Sequence, residues 1–113
     1  MSVPVPTRRL VLERPETLQD GSGGFVTTWA EVCTHWAEIR PGAGRSRWGA
    51  EAVPLAGVDW RLFLRAVPPG HPARPAPEMR FREGARIFAI LAVAEADARG
   101  AWLVCHAREE VPA

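Results

Sequence analysis

The chain contains no lysine, no tyrosine and no asparagine. Without lysine there is no Schiff-base amine, no phosphate-loop lysine and no Ser-Lys dyad, so several enzyme chemistries are excluded at once. All fourteen basic residues are arginines, and with 11 prolines, 10 glycines and abundant alanine the composition matches the codon bias of a GC-rich bacterial genome. Cysteine is scarce. Cys33 and Cys105 are the two present, and in a chain with no export signal they are expected as free, buried thiols. Long apolar runs are missing too, none approaching the roughly 20 residues needed to cross a bilayer, so no membrane association is expected. The start, MSVPVPTRRL, lacks the basic-then-apolar order of a secretory signal, and synthesis in the bacterial cytoplasm is the expectation. Net charge is +1, which does not by itself predict nucleic-acid binding.

What is present suits one domain spanning residues 1–113, with a modest core. Thr7–Arg14 reads as an edge strand stopped by Pro15. Residues 15–24 (PETLQDGSGG) carry turn chemistry, with glycines supplying positive φ, and Phe25–Trp29 reads as a returning strand. Residues 28–40 are ambiguous. Trp29, Val32, Cys33, Trp36 and Ala37 fall at helical spacing and Thr28 with Glu31 resembles a capping box, yet the same residues are good strand formers. The pattern alone leans towards helix. Residues 41–58 form a long, weakly patterned loop of the kind that is usually functional or disordered. Asp59–Val67 reads as a strand with Trp60, Leu62 and Leu64 on one face. Residues 68–77 (PPGHPARPAP) read as an extended proline-rich linker rather than a core element. Met79–Arg82 is a short strand, Ile87–Val93 a central strand buried on both faces, and Ala101–Ala107 the last. About seven short strands with regular turns predict an all-β fold, a small barrel or sandwich.

The candidate chemistry is thin. Gly21, Gly23 and Gly24 lack phosphate-loop spacing and read as a hairpin turn. Cys33 with His35, and Cys105 with His106, do not make a zinc site, because adjacent strand residues point to opposite faces. Ser2, Ser22 and Ser46 lie in a terminus or glycine-rich loops without a nucleophile elbow. No catalytic constellation emerges, so no enzyme, metal or cofactor is expected. Core packing is the expected role of Trp29, Trp36, Trp60, Ile87, Ile90 and Trp102. Trp48 sits instead in the long loop, beside Arg45 and Arg47. With Arg40 these make a local basic patch with no acid inside it.

The order of elements resembles the phage head–tail joining proteins, also called head-closure or stopper proteins, found in tailed phages and gene transfer agents. Arg9–Pro15 matches the family's opening strand, Asp20–Gly24 its D-x-x-G-G turn, and Thr28-Trp29 with Trp36–Pro41 its T-W and W-A-x-I-x-P. Met79–Phe81 and Gly84–Ile90 are similar to its M-R-h and G-x-R-h-F-x-I (h apolar), and Trp102–Glu109 to its closing strand. The resemblance covers about residues 8 to 110 and implies a small β-barrel, which turns residues 32–40 into a strand. It further implies a virion component: a homo-oligomeric ring, six- or twelve-fold, between the portal or adaptor above and a tail terminator or tail tube protein below. Residues 41–58 would then face the channel, with Arg45, Arg47 and Trp48 touching packaged double-stranded DNA independently of sequence. The alternative expectation is a small barrel that binds single-stranded nucleic acid through exposed aromatics and falls off steeply with salt.

Overall fold

The computed structural model describes residues 2–42 and 57–110. They contain six strands: β1 (Arg8–Gln19), β2 (Phe25–Pro41), β3 (Gly57–Arg65), β4 (Arg80–Glu83), β5 (Arg86–Glu95) and β6 (Trp102–Glu110). All neighbours are antiparallel, and in the order β1-β2-β3-β6-β5-β4 the sheet closes on itself as a barrel. The all-β expectation holds. The expected seven short strands become six because residues 25–29 and 32–40 belong to one 17-residue strand.

Alternation along the strands packs the barrel. Leu10, Leu12, Ala37, Leu62, Leu64, Phe81, Phe88, Leu103 and Cys105 are fully buried, and Ile90 and Ala107 nearly so. Two bulges interrupt the alternation. Between Leu12 and Glu13 the partner on β2 jumps from Cys33 to Glu31, so both Val32 and Cys33 pack against the core. Two consecutive core-facing residues on a strand imitate a helical i, i+3, i+4 stripe, which is why the pattern alone leans towards helix, while the strand implied by the family resemblance for residues 32–40 is what forms. The second bulge lies between Ile90 and Ala92 and leaves Leu91 half-exposed. The expectation that Ile87–Val93 is buried on both faces therefore fails, since only Phe88 and Ile90 of this run are buried.

Residues 68–77 are a second correction, because Pro75 is among the largest fully buried side chains. The segment folds through tight turns, His71 N to Pro68 O and Arg74 N to His71 O, and Ala73 O meets His35 Nε2 of β2 at 2.7 Å. Prolines supply the fixed φ those turns use and carry no N–H to strand in the core. The segment meets the barrel at the end where β1 leaves it and β2 enters.

The opposite rim is sealed by charge. The Arg8 guanidinium grips Glu83 through two bonds (2.7 and 2.5 Å), and Arg86 grips Glu109 through two more (2.7 and 3.0 Å) while standing 3.4 Å from Glu83. Trp60 Nε1 donates to the same Glu109 at 2.9 Å. Arg8 holds the Glu83 carboxyl below the usual range, and Arg86 does the same to Glu109, in each case against burial. Fork-to-fork pairing of this kind fixes geometry as well as charge.

Candidate interaction surface

Beyond the bulge, β1 and β2 leave the barrel as a two-stranded arm. β4 pairs with β1 only at Val11–Glu13, and β3 pairs with β2 only at Ala37–Pro41. Among the described residues, 14–19 and 25–30 therefore pair only with each other, from Arg14↔Ala30 to Gln19↔Phe25. Six residue pairs at about 3.3 Å each give an arm about 20 Å long. Pro15, expected to end the first strand, lies inside it opposite Trp29. Its missing N–H is harmless on a ribbon whose outer edge has no neighbour among the described residues.

The tip is shaped by Asp20. Its Oδ1 accepts from Ser22 N (2.7 Å) and Gly24 N (3.1 Å), and Asp20 N donates to Gly24 O (3.1 Å). Gly21 and Gly23 both take φ of +84°, a region glycine enters without strain. The hairpin turn expected here is present. Asp20→Ala is predicted to cost the arm about 1 kcal/mol, as loss of a side-chain cap does. Amide exchange of residues 15–29 should accelerate about five-fold while the barrel's melting midpoint stays put. A drop of the whole barrel's midpoint would mean that the arm is not an independent unit.

The arm carries an unusual load of exposed apolar surface. Leu18 is 51% exposed, Phe25 67% and Val26 48%. Leu18 and Val26 are register partners on one face, and Phe25 lies on the other. At the root, the Arg80 guanidinium stacks 4.1 Å from the Trp29 ring. These tip residues were missed by sequence reasoning. Their signal was apolar residues directly flanking the turn, on strands with no third strand predicted beside them.

Of the residues expected in the channel loop, Arg45, Arg47 and Trp48 lie outside the described residues. Arg40 is described and is not part of a free basic patch. Its Nε bonds Glu38, its guanidinium lies 4.4 Å from the Phe63 ring, and its Nη2 reaches Ser2 O at 3.4 Å. The acid that neutralises it precedes the patch by two residues on the same strand face. The stems of the 41–58 segment are clamped: Gly42 N donates to Asp59 O (2.9 Å), Arg61 Nε to Pro41 O (3.1 Å), and Arg108 Nε pairs with Asp59 (3.0 Å).

Of the expected core aromatics and isoleucines, Ile90 and Trp102 are buried, and Trp60 packs against the core from the rim. Trp29 sits half-buried at the arm's root. Ile87 lies on the outer face opposite Arg82, since Arg86, Phe88 and Ile90 point inward. Trp36 is 56% exposed, a correction that follows from strand alternation, because its neighbour Ala37 takes the inward position. Cys33 and Cys105 are free, and burial pushes the Cys105 thiol up to about 12 against the opposing charge of Arg74. Among the described residues no three His, Cys, Asp or Glu side chains gather closely enough to hold a metal.

Comparison with known proteins places this architecture. The family model described as phage head completion protein matches residues 1–110. A chain from the virion of a native gene transfer agent particle is 50% identical, covers 98% of this chain and 100% of its own length, and superposes with a TM-score of 0.79. Protein SF1141 from Shigella flexneri 2a, at 19% identity over the full length of both chains and a TM-score of 0.68, shares the fold. No curated protein sequence matches the chain.

Proposed function

Since the chain belongs to the phage head completion protein family, we propose that it closes the filled head of a phage or phage-like particle, forming a ring that joins portal or adaptor to tail and retains packaged DNA. The observation that carries this reading is the family match across residues 1–110, reinforced by the half-identical chain in a gene transfer agent virion. As a structural head–tail component it works among other particle proteins, not on a substrate.

The molecule's polarity supports the reading. Gly42 and Gly57, the described residues that flank the stretch holding Arg45, Arg47 and Trp48, lie towards the end sealed by Arg8, Glu83, Arg86 and Glu109. The apolar arm projects from the other end. Cyclic symmetry would repeat Arg45 and Arg47 as two circles of positive charge, and these can hold phosphates without reading bases. The test is electron microscopy of particles made after deleting the gene in the organism that encodes it. DNA-leaking or empty heads beside free, normal tails are the expected result; normal tailed, DNA-filled particles would overturn the reading. A narrower check addresses the charges. Reversing both Arg45 and Arg47 to Glu should lower DNA-filled particles about tenfold at unchanged ring incorporation, and equal retention would remove the DNA-contact role.

A further inference from the structure

We propose that the arm of one copy seats its tip on the outer face of the next copy, at a patch formed by Val3, Val5 and Trp36. The inference rests on the ring proposed above and names the contact that would build it.

The patch is a second exposed apolar surface, distinct from the arm. Val3 is 72% exposed, Val5 62% and Trp36 56%. It is ordered rather than loose: Val5 N donates to Glu38 Oε1 at 2.6 Å, Arg40 reaches back to Ser2 O, and Pro4 is buried. Glu38 and Trp36 are successive outward positions on β2, and Arg9 is the register partner of Trp36. The N-terminal segment and the indole therefore form one continuous strip.

Two arguments select a second copy as the occupant. The first is charge. Beyond Arg14 at its root the arm carries Glu16 and Asp20 and no basic residue, whereas the strip carries Arg8 and Arg9, and its one acid, Glu38, is already bonded to Val5 N and Arg40. Arg8 is taken by Glu83, and Arg9 has no ion-pair partner among the described residues. An acidic apolar tip thus matches a basic apolar strip. The second is distance. Phe25 and Trp36 stand eleven residues apart on the single strand β2, about 36 Å at strand rise. The tip cannot fold back onto the strip of its own chain. Two different complementary patches on one molecule make a head-to-tail contact, which propagates from copy to copy and closes where the rotation allows.

The experiment places a photo-crosslinking amino acid at Phe25 in the chain expressed from its own gene, irradiates purified particles, and sequences the crosslinked peptides. Crosslinks joining position 25 to residues 2–9 or 36 of another copy are expected. Crosslinks to a different particle protein, to another part of this chain, or none at all while the chain is incorporated, would overturn the contact and leave the head-closure reading standing. Absence of even the wild-type chain from particles would overturn both. In parallel, a double change of Phe25 and Val26 to Asp should lower the copies per particle about tenfold, as loss of a central interface contact does. The free protein's melting midpoint should not move. Normal incorporation of that variant would also sink the proposal.

Discussion

Replacing Phe81 with alanine is expected to lower the thermal midpoint of the purified protein by about 12–20 °C, from a loss of about 3–5 kcal/mol. Phe81 is fully buried on β4, the shortest strand, and faces Leu12 of β1 on one side and Phe88 of β5 on the other. His35 meets its ring edge-on at 6.0 Å. β4 is the strand through which the sheet closes, and its seam with β1 is only three register pairs long. A cavity there empties the one place where few backbone bonds can compensate. Against a total stability of about 5–15 kcal/mol, such a loss takes the protein close to unfolding at body temperature. Phe81→Leu, which keeps most of the volume, should cost only about 1 kcal/mol. The check is thermal unfolding followed by circular dichroism, and a midpoint within a few degrees of wild type for Phe81→Ala would show that the seam is not part of the cooperative unit.

The second large effect concerns Glu13, which is only 6% exposed and stands on the outer face of the same seam. Its two carboxylate oxygens take Arg80 Nε at 2.7 Å and Arg82 Nε at 3.0 Å, tying β1 to β4. Burial alone would raise its pKa, but the bonds and charges of the two arginines outweigh that and hold it below the usual range. Glu13→Ala leaves two guanidinium groups adjacent and uncompensated. The cost is about 2 kcal/mol, less than for a fully buried pair because both arginines keep some contact with solvent. The sign of the pH dependence follows from the depressed value. Stability from Glu13 is complete above the unfolded carboxyl range, near 4.5, and is lost as the pH falls below it through the folded value. Glu83 and Glu109 act in the same direction. Urea unfolding across pH 3–7 should therefore show wild type weakening below about pH 4.5, and Glu13→Ala starting lower with a shallower acid slope. Parallel curves for the two proteins would contradict the assigned role.

Much of the barrel was legible because its strands obey a period of two. Trp60, Leu62 and Leu64 announce an inward face on β3, and the glycines around Asp20 announce the hairpin. The failures have physical causes. At Val32-Cys33 a bulge breaks the period, so the pattern drifts towards a helical one. At Trp36 hydrophobicity misleads, since an exposed indole and a buried one carry the same letter. Proline misleads twice. Pro15 stands within a strand that has no outer neighbour among the described residues, and Pro75 is buried because the turns around it satisfy the backbone. The arm was the least legible part, because propensity says that residues 14–19 and 25–30 are strands but not that they pair, among the described residues, only with each other. Arg40 shows a related limit: the stretch from Arg40 to Arg47 holds no acid, but Glu38, two residues before it, is the partner of Arg40.

Because the strands of the barrel turn their alternate residues into a closed interior while those of the arm turn none, the two halves of β2 answer to different pressures. A change at Ala37 or Leu10 is judged by the protein's own folding. A change at Leu18, Phe25 or Val26 leaves that folding alone and is judged only by whatever the tip touches. The same barrel can thus be refitted to another particle by altering a dozen residues at one end, without reopening the problem of how the chain folds.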